Sequence, residues 1–220
     1  MKLKVIITGS TGMVGEGVLH ECLQHPNVEK ILVINRRPCG ISNPKLFEII
    51  HTDFFDFSQI ENQLSGFNSC FFCLGVSSFR KKEQEYFSLT HTLTMYVAQK
   101  LIQFNPSMIF CYISSTGANS EKKGGQMWAR IKGMTEDDLM KLPFKRVYMF
   151  RPAILNPTKG LKNYHKFYSV FKFFYPFFRL TFPKYVSTLK ELGLAMINSA
   201  TKGYEKQILE VSDIVKLSKQ

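Results

Sequence analysis

No group of residues in this 220-residue sequence has metal-ligand spacing. His20 and His25 stand five apart, and His51, His91 and His165 are each alone, so no metal-dependent chemistry is expected. The five cysteines are an odd number without framework spacing. That excludes a disulfide scaffold and points to a reducing compartment, and a cytoplasmic protein is expected. Cys70 and Cys73 form a literal C-x-x-C, but inside an apolar run, Cys70-Phe71-Phe72-Cys73-Leu74, and not at a helix start. They read as small buried residues. Met1 leads straight into an apolar run, so no cleavable export leader is expected. Acidic residues are scarce: 17 Asp and Glu against 29 Lys and Arg leave a formal charge of +12. The excess favours anionic partners, phosphorylated cofactors or acidic membrane surfaces. No nucleic-acid recognition motif accompanies it, so nucleic acid is not an expected partner. There is no internal repeat, and the length suits one domain with a sizeable core.

What is present is organised around Val5-Ile6-Ile7-Thr8-Gly9-Ser10-Thr11-Gly12-Met13-Val14-Gly15-Glu16-Gly17. This reads as a buried strand, a glycine turn and the first turn of a helix. Glycines at 9, 12 and 15 give G-x-x-G-x-x-G. Gly9 allows a sharp turn, Gly12 lets backbone approach a pyrophosphate, and Gly15 lets helix pack on strand. The helix N-terminus offers free N–H groups and partial positive charge to phosphates. Gly9, Ser10, Thr11, Gly12, Met13, Val14 and Gly15 are therefore candidate contacts for a dinucleotide.

A second absence follows. The next strand, 30–35, is expected to be buried on both faces, and it ends Asn35-Arg36-Arg37 without an acid. A carboxylate there would bond the ribose hydroxyls of NAD; two guanidiniums suit a ribose phosphate instead. NADP is expected in preference to NAD. Further strands are expected at 46–50, 69–74, 108–113 and 145–150. Asp53 and Phe54 are candidates for the adenine, with Asp53 or Asp56 alternatively capping a short helix from Phe57. Leu74, Gly75 and Val76 end a strand where a ligand can approach closely. Helices are expected at 13–24, 83–104 and 126–141, and around Leu189, Leu192 and Met196 up to Gly203. The alternation predicts a doubly wound α/β sheet.

From Thr158 the character changes. Between Lys159 and Lys190 there are seven Lys and Arg, eleven Phe and Tyr, and no acid. Lys172, Pro176 and Arg179 interrupt the aromatic run, so it does not read as a bilayer-spanning helix. It reads as a cap over the cleft, or as a basic aromatic surface, 164–185, for a membrane or protein contact.

The pieces Thr8-Gly9-Ser10-Thr11-Gly12-Met13-Val14-Gly15, Cys73-Leu74-Gly75, Ser114-Ser115-Thr116-Gly117-Ala118, Lys132-Gly133 and Arg151-Pro152-Ala153 occur in this order. Together they resemble the atypical and extended short-chain dehydrogenases/reductases of the NAD-dependent epimerase/dehydratase kind, and among these the Tat-interacting protein branch. The resemblance spans roughly residues 1–157. It implies a Rossmann-type parallel sheet with helices on both faces over 1–157, and a small C-terminal helical cap, 158–220, completing the same domain. It also implies an oxidoreductase or epimerase acting on a small molecule. In that family a serine after strand five and a Tyr-x-x-x-Lys on the next helix carry the chemistry. The matching serine is Ser115, with Ser114 a cofactor contact. Lys132 matches the lysine that holds the nicotinamide ribose, and Pro152 and Ala153 match the stretch beside the nicotinamide. The tyrosine position is Trp128, whose indole N–H donates but does not act as an acid or base near neutral pH. Tyr96-Val97-Ala98-Gln99-Lys100 is a literal Y-x-x-x-K, but it precedes the serine and Val97 lies on a core stripe. Two functional expectations follow: an NADP-dependent enzyme with a replaced tyrosine, or a non-catalytic NADPH sensor that presents its basic aromatic segment to a partner or membrane.

Overall fold

The computed structural model describes residues 2–121, 125–163, 175 and 177–220. Among these residues the chain forms β1 (Leu3–Thr8), β2 (Val28–Asn35), β3 (Leu46–Ile50), β4 (Ser69–Phe72), β5 (Ile109–Ile113), β6 (Arg146–Arg151), β7 (Ile154–Asn156), β8 (Val186–Thr188) and β9 (Ile208–Glu210). Seven of them make one sheet in the order β3-β2-β1-β4-β5-β6-β9, while β7 and β8 pair separately. Every pairing is parallel. The order reverses between β1 and β4, which opens a crevice at the carboxyl ends of those two strands.

The central strands β4 and β5 and most of β1 and β2 are apolar because both of their faces are covered, whereas β3, at the sheet edge, leaves Phe47 and Ile50 exposed. Val5, Ile7 and Val33 point to one core with Val18, Leu19, Leu192, Met196 and Ile214. Ile6, Leu32 and Ile34 point to the other with Leu93, Val97, Leu101, Phe110 and Leu139. The first core is closed by α1 (Met13–Gln24), and the second by α3 (Leu93–Phe104) and α4 (Met127–Met140). Two further helices, α5 (Leu189–Lys202) and α6 (Val211–Leu217), complete the first face. Each fully buried leucine or valine contributes roughly 1.5–3 kcal/mol relative to exposure. This is the doubly wound α/β architecture expected from the sequence.

Several elements differ in detail. Strand β4 stops at Phe72, two residues early, because the Cys73 and Leu74 backbone crosses closely over Gly9. No helix forms at Phe57. Asp53 Oδ1 accepts the Phe55 N–H at 2.9 Å and Asp56 Oδ1 accepts the Ser58 N–H at 2.9 Å, two local turns, and the only helical piece there is a short 3₁₀ turn, Glu61–Gln63. The long helix 83–104 is split: α2 (Glu83–Phe87) passes through a π-helical turn, Ser88–Thr92, into α3. The C-terminal part does more than cap. Strand β9 extends the main sheet and α5 packs on α1. Neither β9 nor α6 was expected.

Helix α5 begins on a capping box, Thr188 with Glu191, and Glu191 also binds the Arg179 guanidinium. Of the segment 164–185, residues 164–174 and 176 lie outside the described residues. Residues 177–181 are helical. No helix among the described residues is long and apolar enough to cross a membrane.

Candidate nucleotide site and its catalytic flank

The loop between β1 and α1 adopts the conformation its glycines permit. Gly9 has φ +73°, and a Cβ on it would stand 2.8 Å from the Cys73 carbonyl oxygen. A Cβ on Gly15 would stand 2.1 Å from the Gly9 oxygen. Both glycines are required by the protein's own backbone. Gly12 is different: a Cβ there would meet only the Gly9 oxygen, at 3.5 Å. Gly12 is the N-cap of α1, and no side chain caps that helix. The uncapped N-terminus of α1 thus begins at the edge of a cavity of about 510 Å³ lined by Gly9, Thr11, Gly12, Arg36, Arg37, Cys73, Leu74 and Gly75. Space over Gly12, N–H donors and two guanidiniums fit a dinucleotide's phosphates.

The end of β2 is held by a chain of hydrogen bonds that runs from buried Ser10 and Asn35 to exposed Glu48. The Ser10 hydroxyl donates to Asn35 Oδ1 at 2.9 Å, and Asn35 Nδ2 donates to Glu48 Oε1 at 2.8 Å. Glu48 Oε1 also accepts the Cys39 N–H at 2.9 Å. Asn35 thus spends both polar ends on fixing the glycine loop to β3, and the nearby carboxylate is turned to that task. Among the described residues, ion pairs engage Arg130, Arg151 and Arg179, and leave exposed Arg36 and Arg37 to the cavity.

A second cavity of about 150 Å³ adjoins the first and shares Arg36, Leu74 and Gly75 with it. Asp53, Phe54 and Val76 line it, as does Thr52, with Leu89 and Leu93 as its floor. It has the apolar walls and single carboxylate that suit a purine. Phe54 is largely buried, meeting Phe57 at 5.7 Å between ring centroids, so it offers an edge of the pocket and not a free stacking face. Leu89 sits in the π-helical turn, outside the fully buried stripe of Tyr86, Leu93, Val97 and Leu101. Met13 and Val14 pack against the first core and do not line the nucleotide cavity.

The other flank gathers at the end of β5. Ser114 is buried and its Oγ has no hydrogen-bond partner among the described residues. Ser115 Oγ makes one long contact, 3.5 Å, to the Thr116 carbonyl. The Thr116 N–H donates to the Pro152 carbonyl at 3.1 Å, tying this loop to the exit of β6; Ala153 beside it is exposed. On α4, Lys132 Nζ donates to the Ile113 carbonyl at 3.2 Å and lies 5.4 Å from the Tyr112 ring centroid. Desolvation pushes the Lys132 ammonium down to about 8, against a smaller opposing pull from Glu136. Trp128, one turn earlier, lies over Gly117 at 3.5 Å from where its Cβ would be, and its indole N–H is spent on Gln126. The structure therefore brings Ser114, Lys132 and Trp128 to one loop, without a side-chain hydroxyl at position 128.

Behind this flank, Arg151 Nε donates to buried Glu136 at 2.9 Å, a second bond joins the same pair, and Arg151 also reaches Glu210 at 3.1 Å. Sequence reading missed this network, as it did Thr52, Leu89 and Asn35; only Asn35, polar at the end of an apolar strand, carried a visible signal. The decoy pair is structural: Tyr96 Oη accepts the Phe57 N–H at 2.8 Å and Lys100 pairs with Glu61 at 2.6 Å. Burial pushes the Cys70 and Cys73 thiols well up, and both are free cysteines.

A parallel sheet with a reversed strand order and a glycine loop at the reversal defines a doubly wound fold of the Rossmann type. Solved structures bear this out at the level of the fold. MoeE5 in complex with UDP-glucose and NAD superposes with a TM-score of 0.65 at 14% identity, over 98% of this chain and 80% of that one. Aldohexose dehydrogenase from Thermoplasma acidophilum superposes with a TM-score of 0.67 at 14% identity, over 94% and 91%. In sequence, the chain is similar to the protein FMP52, mitochondrial, of Candida glabrata, 26% identical over 214 residues, covering 93% of this chain and 88% of the relative. It is also similar to fmp52, mitochondrial, of Emericella nidulans, 30% identical over 157 residues, covering 69% and 66%. No protein-family model matches the chain. These relatives correct one expectation. They are named as mitochondrial proteins, against the cytoplasmic placement read from the cysteines. Reduced thiols mark a reducing environment and do not distinguish one such compartment from another.

Proposed function

We propose that the chain is an NADP(H)-binding protein of short-chain dehydrogenase/reductase type, acting as an oxidoreductase or epimerase on a small molecule, and that it works in mitochondria like its named relatives. The observation that carries this reading is the cavity over Gly12, walled by Arg36 and Arg37, neither of which has an ion-pair partner among the described residues. The bound nicotinamide would supply hydride transfer. Lys132, held at the end of β5, would then contact its ribose, and the orphaned Ser114 hydroxyl would find a polar partner on the ligand. Placement in the Tat-interacting branch belongs to this proposal and is supported by the ordered motif set from Thr8 to Ala153. The preference for NADP rests on Arg36 and Arg37, which match a phosphate's charge and forked acceptors.

Proton transfer is the open position. Trp128 does not supply it, so the substrate or solvent must. Transfer of deuterium from labelled NADPH to a panel of carbonyl compounds tests the enzyme reading. Turnover by the wild type supports it. Turnover only after Trp128→Tyr makes the natural chain a cofactor binder.

A second reading has its own observation. Phe177, Leu180, Phe182 and Tyr185 are exposed by 60%, 83%, 52% and 53%, with Lys184 among them. Such a basic apolar ridge suits an anionic membrane surface, and the chain would then act as a nucleotide sensor at that surface. Co-sedimentation with anionic vesicles, lost on changing Phe177 and Leu180 to Ser, supports it; no binding to vesicles at low salt removes it.

A further inference from the structure

A third cavity, about 430 Å³, lies on the far side of the glycine loop and shares Thr11 and Arg37 with the nucleotide cavity. Ser10 and Thr11 form one wall and Arg37 another. Lys162, more than a hundred residues away in sequence, lines the same cavity. Among the described residues Lys162 has no ion-pair partner, nor has Arg37. Two cations and the Thr11 side chain, from three separate stretches of chain, line one space beside the phosphate loop, while the buried Ser10 hydroxyl stays on Asn35.

Lys162 is held there by a specific device. Glu16, in the first turn of α1 and 8% exposed, accepts the Lys162 N–H on Oε1 at 2.8 Å and the Asn163 N–H on Oε2 at 2.7 Å. A carboxylate in the first turn of a helix is itself stabilised by the helix dipole. Glu16 is an acid in the cavity wall, but each of its oxygens is already engaged by an N–H of this clasp. Its geometry serves the segment 161–163, and leaves the acceptor role in the cavity to whatever anion enters.

We propose that Lys162 is a specificity-determining residue for the ribose phosphate of NADP(H), and that Glu16 is the positioning residue that sets it opposite Arg37. The inference rests on the dinucleotide reading of the neighbouring cavity and adds to it a contact from the C-terminal part of the chain. The consequence is that the C-terminal segment senses which dinucleotide is bound. NADP(H) draws Lys162 onto its phosphate, and NAD(H) leaves it unengaged.

The test is a pair of fluorescence titrations, NADPH and NADH, on the full chain, with competition by 2′,5′-ADP and by 5′-ADP. Lys162→Met should weaken NADPH and 2′,5′-ADP by about tenfold, the size of one charge-assisted hydrogen bond, and leave NADH and 5′-ADP within about twofold. Lys162→Arg should restore most of the NADPH affinity. Glu16→Gln, whose amide oxygen replaces one of two acceptors, should weaken NADPH by roughly threefold and spare NADH. Lys162 is exposed, so its variant keeps the test alive if Glu16→Gln fails to fold. An NADPH to NADH ratio unchanged in Lys162→Met overturns the inference. If Arg36→Ala still lowers NADPH affinity in that case, the dinucleotide reading stands without it. A wild type that binds neither nucleotide ends both.

Discussion

Gly12→Ala separates a glycine the fold needs from one a ligand needs. Position 12 has φ −102° and ψ 165°, values any residue adopts, and the added Cβ would stand 3.5 Å from the Gly9 oxygen, an ordinary contact. Alanine at an N-cap costs roughly 0.5 kcal/mol relative to glycine. The reduced freedom of the unfolded chain returns about 0.4–1 kcal/mol. The melting temperature should therefore move by no more than about 3 °C. Gly15→Ala is the counter-example, because its Cβ would fall 2.1 Å from the Gly9 oxygen. Backbone must move, and a loss of about 3 kcal/mol or more, roughly 6–12 °C, is expected. Binding should show the reverse contrast for Gly12→Ala. The methyl group occupies the seat of the phosphates, so one or two charge-assisted bonds are lost and NADPH should weaken by about 10- to 100-fold. Differential scanning fluorimetry with a parallel NADPH titration reads both quantities. A Gly12→Ala protein that melts like the wild type and binds NADPH equally well would show that no phosphate rests on this loop.

Other consequences are as direct. The Lys132 ammonium is depressed from 10.5 to about 8, so between those values the unfolded chain holds more protons than the folded one and stability from this group rises with pH. Subtracting the pH series of melting temperatures of Lys132→Met from that of the wild type should isolate that rise; a flat difference would contradict the buried placement of the amine. Glu136→Ala leaves the Arg151 guanidinium with only Glu210 and should cost on the order of 3 kcal/mol, read as a fall of about 6–12 °C. Tyr96→Phe removes the acceptor of the Phe57 N–H, and should cost about 1 kcal/mol in chemical denaturation while NADPH affinity stays unchanged. A drop in affinity would reopen Tyr96 as a functional residue.

The cavity at the glycine loop is legible in the sequence because its signals are local. Gly9, Gly12 and Gly15 fall within seven residues, and Arg36 and Arg37 follow the strand that brings them to the same cavity. Asp53 and Leu74 to Val76 were placed by the same logic of strand ends, and the structure puts them around one small pocket. What stayed hidden depends on distance in sequence. The Glu16 clasp joins residues 146 and 147 positions apart, and nothing in either stretch announces it. Strand β9 has three residues, too few for a periodic signal, and is defined only by its register with Met149 to Arg151. Leu89, inside the π-helical turn Ser88–Thr92, lines the small cavity beside Leu93 although its spacing fits a continuous core stripe. The alternative of a helix cap at Asp53 or Asp56 gives way to two local turns, because an acid ahead of an apolar run serves an Asx turn equally well. On the other flank the motif set picks out Ser114, Ser115, Trp128 and Lys132, and the structure adds where polar atoms go: Lys132 to a backbone carbonyl and Trp128 to Gln126.

A phosphorylated dinucleotide held against the loop Gly9 to Gly15, with its extra phosphate at Arg36 and Arg37, has a measurable signature. Isothermal titration of the wild-type chain with NADPH and then with NADH measures it most directly. NADPH should bind saturably and one to one, at least tenfold tighter than NADH, with that margin removed by Arg36→Ala. Equal affinity for the two, unmoved by Arg36→Ala, would contradict that placement.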